Sequence, residues 1–130
     1  MTYITIAKLA AAAGVGVETI RYYQRRGLMP VPRAAGNAYR HYDAGHLQRL
    51  LFIRKAQAAG FTLEEIKELL VLDRSRDRAR IRVLAGQRLE ALAREAQELE
   101  VSRKALQRLL GACQGSNRGP CPIIEAFSTG

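Results

Sequence analysis

Two side chains in this sequence stand out for the chemistry they can do together. Cys113 and Cys121 are its only cysteines, and the seven residues between them include Gly115, Gly119 and Pro120. A turning segment of that length can bring two sulfurs together. Two thiolates form a soft donor set that favours Cu(I), Ag(I), Au(I) or Hg(II). Tetrahedral Zn(II) normally takes four donors. His41 and His46 lie in a distant stretch without ligand spacing to the cysteines, so zinc would need ligands from a second subunit or water. Two other readings of the pair stay open. The thiols can close into a disulfide and work as a redox switch, or they can be inert and buried. A catalytic cysteine needs a histidine base beside it, which this layout does not supply. There is no Gly-rich phosphate loop, no HExxH and no GxSxG. The reading is therefore not an enzyme, and no organic cofactor is expected.

The second constellation is basic. Thr19, Arg21, Tyr22, Tyr23, Gln24, Arg25 and Arg26 crowd one short stretch. Hydroxyl, guanidinium and amide groups in that mix hydrogen-bond phosphates and base edges. An amphipathic surface helix with no ligand is the plainer alternative. Charge favours the first reading. The 130 residues carry 21 Lys and Arg against 12 Asp and Glu, a net +9. Residues 1–60 hold nine basic side chains against only Glu18 and Asp43, whereas residues 61–112 hold eleven against nine. Charge gathered in one half is the footprint of a polyanion partner, not diffuse solubility. At 48% hydrophobic and 25% charged the composition is globular. No apolar run approaches the roughly 20 residues of a membrane helix. The start MTYITIAKLA lacks a signal-peptide pattern. The expected setting is cytoplasmic, with no membrane partner.

The elements that must position these groups follow from periodicity and punctuation. Thr5 caps a helix that Gly14 ends, and a second helix fits residues 17–26, closed by Gly27. Helix, glycine turn and helix in this span has the spacing of a helix-turn-helix. Residues 29–42 hold two prolines and the Gly36-Asn37 pair, which suits a turn followed by a short strand over 38–42. Tyr39, Arg40 and Tyr42 on such a ribbon form a wing able to reach phosphates; core tyrosines are the plainer reading. Asp43 caps a helix to about residue 59, and Thr62 with Glu65 makes a capping box for the next. Residues 73–82 are a charge run, read as a solvated linker or helix start. A long helix then spans about 78–111. Along it Ala85, Leu89, Leu92, Ala96, Leu99, Arg103, Leu106 and Leu110 recur at spacings of four and three, a heptad seam with one polar intrusion. A one-sided helix of about 50 Å calls for a partner, and the same helix of a second subunit is the expected one. The tail is read as a cysteine-bearing loop on which Ile123, Ile124 and Phe127 fold back to shield the thiols.

These stretches resemble a known family. Gly14-Val15-Gly16-Val17-Glu18-Thr19-Ile20-Arg21-Tyr22-Tyr23, then Gly27-Leu28, Tyr39-Arg40-His41-Tyr42 and Ala59-Gly60-Phe61-Thr62-Leu63-Glu64-Glu65-Ile66 are similar to the MerR family of bacterial transcription regulators. The tail Cys113-x7-Cys121-Pro122-Ile123-Ile124-Glu125 resembles the metal loop of its metal-sensing, mercury- and copper-type branch. The likeness implies a mainly α fold: a winged helix-turn-helix over residues 1–72, a linker and dimerisation helix over 73–111 forming an antiparallel coiled coil, and an effector loop over 112–130. It implies a homodimer on double-stranded promoter DNA, where inducer binding distorts the duplex so that RNA polymerase can use it. Thr19, Arg21, Tyr22 and Tyr23, with Tyr39, Arg40 and Tyr42 in the wing, would then be DNA contacts, and Cys113 and Cys121 the metal ligands.

There is one departure from the family pattern. Members that sense divalent ions carry a further cysteine at the start of the dimerisation helix, and copper-type members a serine. Counted back from Cys113, that position is Arg78, with Ser75 and Asp77 nearby. Two thiolates leave a monovalent ion with a net negative charge that Arg78 could neutralise, and leave Hg(II) neutral. The VETIRYYQRRGL and AGFTLEEI stretches look closest to mercury regulators, so Hg(II) and the Cu(I) class both stand as inducers. A thiol-redox regulator and an architectural DNA-binding coiled coil are the competing functional classes.

Overall fold

A computed structural model describes residues 3–32, 34–35 and 39–128, with 34–35 and 39–40 described by backbone alone. The chain divides into two compact units, Met1–Arg88 and Leu89–Gly130.

The first unit is built from short, well-capped helices. α1 (Ile6–Ala13) starts where Thr5 accepts the Lys8 backbone N–H at 3.3 Å. α2 (Val17–Arg25) follows after three connecting residues, Gly14, Val15 and Gly16. A two-stranded antiparallel ribbon comes next. β1 (Ala34–Ala35) faces β2 (Tyr39–Arg40) with Ala34 opposite Arg40 and Ala35 opposite Tyr39. The expected Gly36-Asn37 turn and Ala38 lie outside the described residues. Beyond β2, Tyr42 and Ile4 exchange two backbone hydrogen bonds of 2.8 Å, which ties the ribbon to the entry of α1.

α3 (Ala44–Ala58) carries a reciprocal cap. The His46 backbone N–H donates to Asp43 Oδ1 at 3.1 Å, and the Asp43 N–H donates to His46 Nδ1 at 3.1 Å. Histidine here does the work usually given to glutamate in a capping box. α4 (Leu63–Ser75) has the expected Thr62–Glu65 box. The turn between α3 and α4 needs Gly60. Its φ is +94°, and a Cβ would stand 2.8 Å from the Arg88 guanidinium carbon. Arg88 Nη1 donates to the Gly60 carbonyl at 3.2 Å, so a side chain from the long helix beginning at Arg78 rests on this turn.

Leu9, Ile20, Leu28, Tyr42, Leu50, Ile53 and Ile66 are the fully buried side chains of the core. Three of the helices deliver pairs at helical spacing, Ile20 with Tyr23, Leu50 with Ile53, and Ile66 with Leu69.

The charged stretch 73–82 is divided between two helices. α4 ends at Ser75 and α5 (Arg78–Gln114) begins three residues later. Arg76 between them is left-handed, with φ 59°, the one non-glycine of positive φ among the described residues. An L-residue with a Cβ is disfavoured there and glycine is not. Arg76→Gly is expected to stabilise the chain by about 0.5–1 kcal/mol, read as a higher urea midpoint at unchanged slope. A lower midpoint would show that the Arg76 side chain contributes more than its backbone costs.

In the second unit α5 continues to Gln114, past the expected end at 111, and a further helix, α6 (Pro122–Ser128), stands where a loop was expected. Pro122 occupies its first turn, where the missing N–H costs nothing. Ile124 and Phe127 do not fold back over the thiols; they are 64% and 73% exposed on α6. A unit made of one long and one short helix has no second layer to bury them. The seam is likewise open, with Leu89, Leu92, Leu99, Leu106 and Leu110 all exposed.

Candidate functional site

The basic constellation becomes one face of α2. The buried side of that helix, Ile20 and Tyr23, turns the other side outward. Arg21, Tyr22, Arg25 and Arg26 are exposed and Thr19 is half-buried. A polar framework fixes the helix from behind. The Tyr23 hydroxyl donates to Gln57 Oε1 on α3. The Gln24 amide donates to the Tyr42 hydroxyl at 3.0 Å and to the Pro30 carbonyl at 3.4 Å. Arg49 Nη1 on α3 donates to the Leu28 carbonyl at 3.1 Å.

Two open clefts flank the exposed face. One, of about 450 Å³, is lined by Glu18, Thr19, Tyr22, Tyr23, Arg25, Arg54 and Gln57. The other, of about 320 Å³, is lined by Arg21, Gln24, Arg25 and Val31. Guanidinium and hydroxyl groups converging on an open surface can hold phosphate oxygens, and the first residues of such a helix can reach base edges.

Of the expected contacts, Thr19, Arg21 and Tyr22 lie together on this face. Tyr23 and Tyr42 lie in the core instead, each 2% exposed. Tyr23 shares the inward side with Ile20, and Tyr42 is held by its bridge to Ile4. Tyr39 and Arg40 form β2, but their side chains lie outside the described residues. Arg54 was not anticipated. It belongs to α3, and only the packing of α3 against α2 brings it beside Thr19 and Tyr22.

The thiol pair is assembled within the second unit. Cys113 sits in the last turn of α5 and Cys121 immediately precedes α6. Both are free and half-buried, with the sulfurs 3.8 Å apart. The Cys121 carbonyl accepts the Glu125 N–H at 3.0 Å, which starts α6. Backbone N–H groups of Ile124 and Ile123 hold the Cys121 thiol below its ordinary pKa. The hydrogen bond and the charge of Cys121 push Cys113 up. Cys121 is therefore the readier of the two to ionise, and Cys113 the more reluctant. Alkylation by iodoacetamide is expected to label Cys121 faster than Cys113, read by peptide mass spectrometry, because the thiolate is the nucleophile. Equal rates would contradict this ordering.

A metal–sulfur distance of about 2.3 Å puts two sulfurs about 3.8 Å apart at a tetrahedral angle and about 4.6 Å apart in a line. The pair already stands at bridging distance, and linear coordination needs an opening of about 0.8 Å. Among the described residues no cluster of three or more His, Cys, Asp or Glu side chains is placed to hold a metal. Among the described residues the site thus offers two soft sulfurs and no cluster that would complete a harder ligand set. No helix among the described residues is long and apolar enough to cross a membrane.

Comparison with known proteins agrees with this layout. Residues 4–72 match the MerR HTH family regulatory protein pattern, and residues 47–109 match the pattern named MerR, DNA binding. The HTH-type transcriptional regulator HmrR of Rhizobium leguminosarum bv. viciae is 36% identical over 129 residues, covering 98% of this chain and 99% of its own length. The mercuric resistance operon regulatory protein of Serratia marcescens is 38% identical over 125 residues, covering 95% of this chain and 87% of its own. The crystal structure of the transcription regulator PbrR691 from Ralstonia metallidurans CH34, in complex with lead(II), superposes with a TM-score of 0.67 at 35% identity, over 95% of this chain and 98% of that one. A winged helix-turn-helix followed by a long helix is the fold they share. The chain belongs to the MerR family of transcription regulators.

Proposed function

We propose that this chain works as a homodimer that binds promoter DNA through α2 and the β1–β2 ribbon and responds to a soft metal ion held by Cys113 and Cys121. The single observation that carries the metal half is the sulfur pair, 3.8 Å apart where α5 ends and α6 begins. Two thiolates with no cluster of three or more His, Cys, Asp or Glu among the described residues suit Hg(II) or an ion of the Cu(I) class. Relatives whose names tie them to mercury and lead make an inorganic inducer the natural reading.

Three segments divide the work. Residues 1–72 bind DNA, with Thr19, Arg21, Tyr22, Tyr39 and Arg40 as contacts, Arg54 beside them, and Tyr23 and Tyr42 holding α2 and the ribbon from within. Residues 73–111 link and dimerise, the exposed leucines of α5 meeting the same stripe of a second copy. Residues 112–130 hold the inducer. Metal binding then reshapes the dimer, and the dimer deforms the duplex so that RNA polymerase can engage a promoter it otherwise uses poorly.

The test is transcription. An operator is selected from a pool of randomised duplexes by binding to the reduced chain, placed in a promoter, and transcribed with purified polymerase. Hg(II) or Cu(I) is expected to raise transcript yield without releasing the protein. A rise on adding a disulfide-forming oxidant without metal would replace this reading with the redox one. Binding with no preferred sequence would leave only an architectural role.

A further inference from the structure

The recognition helix ends in a cluster of which DNA binding as proposed uses Tyr22 alone. Arg26 caps α2. One of its η nitrogens donates to the Tyr22 hydroxyl at 2.8 Å, and the other pairs with Glu64 in the first turn of α4. The guanidinium also lies over the Tyr22 ring, 5.7 Å from its centroid, and Arg25 lies over the same ring at 5.8 Å. Glu64 is not there by accident of one rotamer. Lys67, one turn further along α4, has its ammonium 3.2 Å from where a Cβ of Gly27 would stand. Gly27, at φ +74°, lets this face of α4 come up to the end of α2.

We infer that Glu64 is a positioning residue: it neutralises Arg26 and fixes it as the support of Tyr22, so that Tyr22, and not Arg26, contacts the phosphate backbone. This rests on the reading of α2 as the DNA-binding helix. The hydrogen-bond inventory carries the argument. A phenol has one donor and can accept as well. Its oxygen here accepts from Arg26, so its own O–H remains to donate outward, and a phenol polarised in this way is the stronger donor. Arg26 spends one η nitrogen on Tyr22 and the other on a carboxylate. A guanidinium paired with a carboxylate carries no net charge to the duplex and releases no counterion from it.

The consequence is counter-intuitive for an arginine on a recognition helix, and counterion release measures it. The full chain is titrated with a mixed-sequence DNA duplex over a range of salt concentrations. Each phosphate neutralised adds about 0.9 to the slope of log affinity against log salt. Glu64→Gln is expected to steepen the slope by about 0.9, because it frees Arg26 for a phosphate. The charge-neutral pair Arg26→Gln/Glu64→Gln is expected to keep the native slope while binding weakens about tenfold, as in Tyr22→Phe. Adding Tyr22→Phe to that pair should weaken binding no further.

A native slope in Glu64→Gln, a slope about 0.9 shallower in the double variant, full affinity in Tyr22→Phe, or additive losses would each overturn the inference. Thermal midpoints of the variants, all at exposed positions, should match the native chain, so loss of fold is separately visible. Arg21→Gln separates the two levels. It should lower the slope by about 0.9. If it does so while the Glu64 variants fail, only the role of Glu64 falls. If it changes neither slope nor affinity, α2 is not the DNA face, and both readings fall.

Discussion

A Cys113→Ser/Cys121→Ser chain is expected to bind its operator as the native chain does and to lose the transcriptional response to Hg(II) and Cu(I) altogether. The substitutions exchange two soft sulfurs for two hard hydroxyls, and among the described residues no cluster of three or more His, Cys, Asp or Glu could take their place. Disturbing a partner of a metal ligand costs about 10–100-fold in affinity; removing the ligands themselves must cost far more. Either single serine should abolish the response nearly as well, because two-coordinate binding needs both sulfurs. The half-buried thiols lie in the second unit and α2 in the first, so affinity for the operator without metal should not change. The measurement is run-off transcription with and without metal, beside a gel-shift titration of the same protein. A variant that still answers to metal would place the inducer elsewhere.

Tyr23→Ala is expected to destabilise the first unit by about 3–5 kcal/mol, the scale of truncating a buried aromatic side chain. Domains of this size hold only about 5–15 kcal/mol in total, so the loss takes a large share of the stability, and at the low end of that range DNA binding would fall with the folded fraction. Tyr23→Phe separates support from contact. It keeps the ring in the core and removes one hydrogen bond, to Gln57. The expected loss is about 0.5–1.5 kcal/mol in urea unfolding, with DNA affinity unchanged once the folded fraction is allowed for. Weakened DNA binding at full stability would mean that the hydroxyl faces the duplex.

Tyr23 also marks where sequence reading stops. A tyrosine is apolar enough for a core and polar enough for a contact, and helical period alone does not separate the two when Tyr22 stands next to it. The structure decides by packing, since Tyr23 shares the side of Ile20 and Tyr22 does not. Where local chemistry is decisive, the sequence was legible. Thr5, Asp43 and Thr62 stop at helix starts because their side chains satisfy N–H groups within three residues. The histidine half of the Asp43 cap went unread, because the usual pattern places glutamate or glutamine there. α6 was also missed. Glycines at 115 and 119 mask a short helix whose one local signal is Pro122 in its first turn. Arg54 beside Thr19, and Glu64 on Arg26, join residues more than thirty positions apart, and no local pattern announces such pairs. The seam along α5 was legible as a stripe, and the side chains that form it are open in the single chain.

The account turns on whether the thiol pair holds a soft ion. The most direct measurement is a titration of the reduced full chain with Cu(I), Hg(II) and Zn(II) against competing chelators, beside the Cys113→Ser/Cys121→Ser variant. One Hg(II) or Cu(I) retained per thiol pair, with Zn(II) surrendered and the variant retaining none, is the result that two soft donors predict. No ion retained by the native chain, or equal retention by the variant, would contradict it.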